Sequence, residues 1–124
     1  MMRRPALALA VLALGLAGCT TTTIDYHAMS AAELAAKPEY MPSFNTPPPN
    51  GTLIGQMEAT VCQRLPGDPP STARLAELEL KRQAATRGAR GLVDLRTRET
   101  KTPSGECITS ALAYATAYDF PIGQ

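Results

Sequence analysis

Three cysteines, one histidine and a scatter of carboxylates are the side chains in this 124-residue chain whose types could do chemistry. A hydrolytic triad needs a base to take the nucleophile's proton, usually a histidine. The only one is His27, upstream of the stretches with regular periodicity. A metal centre needs three or four clustered ligands, which two cysteines without a histidine do not supply. There is no Cys-x-x-Cys pair for thiol exchange, and Gly88 and Gly91 in "GARG" lack the spacing of a phosphate-cradling loop, reading instead as helix exit and strand entry. Glu77 and Glu79, two apart in a helical stretch, face away from each other. The pattern predicts no enzyme: no catalytic residue, no metal, no cofactor and no small-molecule substrate. Cysteine chemistry remains. Cys62 and Cys107 form an even pair which, in an oxidising compartment, favours a disulfide. Closing a loop of about 46 residues, it would contribute roughly 4 kcal/mol on the chain-entropy model. The other reading is two separate buried thiols.

Cys19 ends a different pattern. Ala6 to Ala17 is the one long apolar run, uncharged and preceded by Arg3 and Arg4. A spanning helix needs about 20 apolar residues, so this run suits a signal-peptide core. Its last residues, Leu16-Ala17-Gly18-Cys19, resemble the lipobox of bacterial lipoproteins. In that family the cysteine thiol receives a diacylglyceryl group, the chain is cut on its amino side, and the new terminus takes a further acyl chain such as palmitate. The resemblance implies a signal peptide over residues 1–18 and lipidation of Cys19. Two or more acyl chains, at about 0.8 kcal/mol per buried methylene, anchor a protein essentially permanently. The alternative is a cleaved secretory signal with a chance cysteine at its end. Thr20 in place of Asp resembles an outer-membrane sorting signal, which places the mature chain on the outer membrane, facing the periplasm.

Residues 19–124 are enough for one small domain. The whole chain carries 12 Lys and Arg against 11 Asp and Glu, and loss of Arg3 and Arg4 leaves the balance slightly acidic, which argues against nucleic acid as a partner. Residues 19–50 read as a lipidated terminus and flexible linker: "TTTT", then five prolines between Pro38 and Pro49. Within it, Ser30 and Glu33 have capping-box spacing before a short stretch that would be marginal as an isolated helix. As a tether, these 32 residues could reach on the order of 100 Å when fully extended.

Residues 51–124 carry the periodic elements. Met57, Ala59 and Val61 alternate with Glu58, Thr60 and Cys62, predicting a strand. Ser71 or Thr72 caps a helix running towards Gly88, with Leu75, Leu78, Ala85 and Ala89 on one side and Ala73, Leu80 and Ala84 on another, leaving open which side packs. Val93 and Leu95 alternate with Asp94, Arg96 and Arg98 in a half-exposed strand. The last strand puts Ile108, Leu112, Tyr114, Tyr118 and Phe120 on one face and Cys107, Thr109 and four alanines on the other. The alanine face invites a helix, while the aromatic face either packs at a rim or meets a partner. The prediction is an α+β fold: a small β-α-β-β domain, a three-stranded sheet with one helix, preceded by a disordered Pro-rich tether. If the first two strands run parallel across the helical crossover and the third returns antiparallel, Cys62 and Cys107 lie at the same end of the sheet. Lys81, Arg82, Arg87, Arg90, Arg96, Arg98 and Lys101 form a basic stretch, either a solvated face or a contact for an anionic surface or acidic protein.

The residues from "TVCQ" through "PPSTAR", "GARGLV" and "CITSAL" resemble, over most of residues 52 to 120, the outer-membrane stress-sensor lipoproteins of the Rcs phosphorelay and the wider set of small envelope lipoproteins sharing their β-α-β-β domain. That resemblance implies a tether able to thread an outer-membrane β-barrel and a domain that reports envelope damage to an inner-membrane regulatory protein. It departs from the family in one respect, retaining Cys62 and Cys107 where two bridges are typical. The expectation is a stress sensor or signalling lipoprotein working by protein–protein interaction, with a structural or accessory outer-membrane lipoprotein as the alternative.

Overall fold

The computed structural model describes residues 29–121, so residues 1–18, expected to be a signal peptide, and Cys19 and His27 lie outside the described residues. Along the chain come helix α1 (Ala31–Ala36), a 3-10 turn (Pro38–Tyr40), strands β1 (Ser43–Phe44) and β2 (Thr52–Gln63), helix α2 (Ala73–Thr86), and strands β3 (Gly91–Thr100) and β4 (Thr109–Asp119). The sheet has four strands in the order β1-β3-β4-β2, where three were expected. β4 runs antiparallel between β2 and β3, which are therefore parallel to each other without touching, and β1 adds a short parallel edge to β3.

The fourth strand belongs to the segment expected as tether, and so does α1. Ser30 caps α1 through the full capping box with Glu33. A six-residue helix has too few hydrogen bonds to stand alone. What holds it is burial: Leu34 and Met41 are two of the four largest fully buried side chains, the others being Leu80 and Leu92. α1 and the 3-10 turn pack against α2, and Pro42 accepts a hydrogen bond from the Leu92 backbone N–H at 3.1 Å just before β1 begins. Pro38 and Pro42 do not make residues 29–44 a free linker, because proline removes donors without preventing neighbouring apolar side chains from being buried.

Helix α2 begins at Thr72, whose hydroxyl accepts from the Leu75 N–H at 3.2 Å, and ends with Gly88 in the left-handed conformation at φ 95°, where Ala89 N–H reaches back to the Ala84 carbonyl. Its buried residues are Ala76, Leu80, Lys81, Ala84 and Ala85, so Leu80 and Ala84 from one expected side pack together with Ala85, and Ala89 just beyond the helix, from the other, while Leu75 stays exposed. It lies on one face of the sheet, on Ala59 of β2 and Ala111, Ala113, Ala115 and Ala117 of β4. Nine of the fourteen residues in this core cluster are alanine. Alanine allows close layers but buries little apolar area, so the few large side chains carry a disproportionate share of the stabilisation.

Candidate functional site

The two domain cysteines are joined. Cys62, near the end of β2, and Cys107, in the turn before β4, form a disulfide with Cα atoms 5.3 Å apart. A polar cluster fastens the same end of the sheet. The buried Gln63 side chain donates to the carbonyls of Leu65 and Asp68 and accepts from the Thr109 hydroxyl, while Ser71 donates to the Thr109 carbonyl through Oγ and to its hydroxyl through the backbone N–H. Bridge and cluster together tie the 64–70 loop and the start of α2 to β2 and β4. Both cysteines are thereby committed to structure.

The carboxylates singled out in the sequence are also engaged. Glu77 pairs with Arg74 and with the buried Lys81, whose pKa is lowered chiefly by burial, with Glu77 opposing. Glu79 accepts from Arg82 and Gln83, and these hydrogen bonds hold its carboxyl below the usual range. The basic stretch does not form one patch: Lys81 is buried, Arg82 pairs with Glu79, and Arg90 pairs with Asp119 at 2.6 Å while its guanidinium stacks over Phe120. Among the described residues no three His, Cys, Asp or Glu lie close enough to hold a metal. Nor, among them, is any helix long and apolar enough to cross a membrane.

The other face of the sheet carries no helix. Because directly opposite residues in an antiparallel pair share a face, the register assigns to it Gln56, Glu58, Thr60 and Cys62 of β2, then Ser110, Leu112, Tyr114, Thr116 and Tyr118 of β4, and Arg96 and Arg98 of β3. A bulge in β3 alters the expected alternation. Asp94 takes φ 55°, so Leu92 and Leu95 face the helix while Val93 joins Arg96 on the far side. Val93 and Leu95 are therefore not on one face, as simple alternation had it. At one end this outer face closes on itself: Phe44 and Phe120 meet edge to face at 6.0 Å beside Val93, and Gly91 leaves the space for both rings.

The rest stays open. A cleft of about 560 Å³ is lined by Gln56, Glu58, Asp94, Arg96, Tyr114 and Thr116, with Tyr114 44% exposed at its centre. One row across the sheet reads Glu58, Tyr114, Arg96. Neither charge has an ion pair among the described residues, since Tyr114 separates them by two strand spacings of about 4.8 Å. An exposed phenol flanked by a carboxylate and a guanidinium suits recognition, with area from the ring and direction from the charges. The sequence alternation already contained the signal, because it set Glu58 and Tyr114 off the helix-facing sides, but the cross-strand row depends on the register and on the bulge. No family model matches this chain, and no curated protein matches it.

Proposed function

We propose that this is a lipid-anchored envelope protein that acts by binding other proteins, held to the outer membrane by acyl chains on Cys19 with its domain facing the periplasm. The sharpest form of this reading is a stress sensor or signalling lipoprotein of the Rcs type, passing its signal to an inner-membrane regulatory protein. The observation that carries the binding role is the uncovered sheet face, where Tyr114 is exposed between Glu58 and Arg96. A satisfied, buried face would need no partner, whereas unpaired charges around an exposed ring are what a partner completes.

The second reading, a structural or accessory outer-membrane lipoprotein without a signalling role, draws support from the packing of α1. Met29 is already buried, so only ten residue steps separate Cys19 from the domain. Fully extended, they reach at most about 35 Å, roughly a third of the span of a 32-residue tether. A domain on so short a leash favours neighbours beside its own bilayer, such as an outer-membrane β-barrel, over a regulator in the other membrane.

Palmitate labelling in cells, comparing the natural chain with Cys19→Ala, tests the anchor. Label on the former only is expected, and label on neither overturns it. Crosslinking in intact cells separates the two roles. An inner-membrane regulator, with phosphorelay output lost on deletion, supports sensing; outer-membrane proteins alone support the accessory role.

A further inference from the structure

We infer that the open sheet face binds a second copy of this chain, through a two-fold axis running along β4 at Tyr114. The inference deepens the protein-binding role proposed above by naming a partner, and it rests on that role for its place in the cell.

The argument is one of charge complementarity. β4 lies in the middle of the face, with β2 on one flank and β3 on the other. Rotation by half a turn about an axis parallel to β4, in the plane between two such faces, leaves β4 over its own copy. The same rotation sets β2 of one copy over β3 of the other. In the row through Tyr114, Glu58 then comes opposite Arg96 of the second copy and Arg96 opposite its Glu58, while the two tyrosines meet near the axis. The row beside it places Leu112 against Leu112. On the cleft side, the row through Thr116 sets Gln56 opposite Val93 of the second copy, with Asp94 in the bulge beside it. Every charge on the Tyr114 row that lacks a partner within the chain gains one, and the same patch serves both subunits, as an isologous interface requires. Aligned sheet-on-sheet packing at about 30° accommodates the arrangement.

Rotation about the perpendicular in-plane axis would set Glu58 over Glu58 and Arg96 over Arg96, so the charges select one of the two arrangements. Three short strands make a small contact, of the transient class below about 1,200 Å² in total. Confinement of both copies to one bilayer would raise their effective concentration and offset that weakness.

The test is a charge exchange on the full chain in detergent micelles, followed by sedimentation equilibrium. Glu58→Arg and Arg96→Glu each set like charges against each other at both ends of the interface, so each weakens self-association by about tenfold or more. The double variant Glu58→Arg/Arg96→Glu restores opposite charges and recovers association to within about threefold of the natural chain. Circular dichroism checks that all three variants are folded, which is expected because both positions are exposed. A natural chain that stays monomeric at every concentration overturns the proposal. So do single variants that associate as before, or a folded double variant that is not rescued. Crosslinks from this face to a different protein, with no self-association, overturn it while leaving the binding role intact; absence of label on Cys19 bears on the anchor alone.

Discussion

Replacing Leu34 with alanine separates a packed N-terminal segment from a tether more cleanly than any other change. The side chain is fully buried, on a six-residue helix that packs against α2, in a core whose remaining members are mostly alanine. Leucine-to-alanine changes in such positions cost about 2–5 kcal/mol, and a short peripheral helix can partly collapse onto the vacated space, so about 2–3 kcal/mol is expected. For a domain of this size each kcal/mol lowers the melting temperature by about 4–8 °C, so Leu34→Ala should melt roughly 10–20 °C below the natural chain. The assay is thermal unfolding of the full chain, followed by circular dichroism, with Leu53→Ala as control. Leu53 is 61% exposed, and its loss should change stability by no more than about 0.5 kcal/mol. Equal melting of Leu34→Ala and Leu53→Ala would refute the packing of residues 29–44 and return them to a flexible linker.

Three further outcomes follow from particular contacts. Cys62→Ser/Cys107→Ser should lose about 4 kcal/mol, read by urea unfolding, because the bridge closes a separation of 45 residues and the alanine core has little in reserve. Gly91→Ala would put a Cβ 2.8 Å from Phe44 and 2.9 Å from Phe120, so it should destabilise by about 1–3 kcal/mol, while the same substitution at the unconfined Gly67 should not. Lys81→Met should be neutral or stabilising by up to about 1 kcal/mol near neutral pH, since the buried ammonium is poorly compensated. Its pKa is lowered in the fold, so the unfolded chain holds more protons between the folded value and about 10.4. Stability of the natural chain therefore rises with pH across that alkaline window, and its gap to Lys81→Met narrows there. A gap that does not change with pH would contradict this.

The sequence made some of this legible and hid the rest for physical reasons. Caps and helix ends are local, so Ser30 and Gly88 are legible from residue type and spacing, and the cap of α2 is legible to within the pair Ser71 and Thr72, of which Thr72 is the cap. The even count of domain cysteines favours the Cys62–Cys107 bridge, and the expected strand directions make their meeting possible. The packing side of α2 was ambiguous because leucines lie on both sides; the alanine stripe of β4 decides it, by accepting the face of Ala76, Leu80 and Ala84. α1 and β1 read as linker because their stability comes from burial of Leu34 and Met41 and from the contact of half-buried Phe44 with Phe120 rather than from propensity, and proline-rich composition masks such packing. The bulge at Asp94 left no trace in the alternation of Val93 and Leu95. It is also what sets Arg96 beside Tyr114, so the Glu58–Tyr114–Arg96 row is half visible in the sequence and completed only by the register.

The central claim is that this domain works by binding protein through its uncovered sheet face. Photocrosslinking in living cells from benzoylphenylalanine placed at position 114, compared with the same probe at position 82 on the exposed side of α2, tests it most directly. Discrete protein adducts from position 114 and none from position 82 are the predicted result. Silence at position 114, or the same adducts from both, would contradict it.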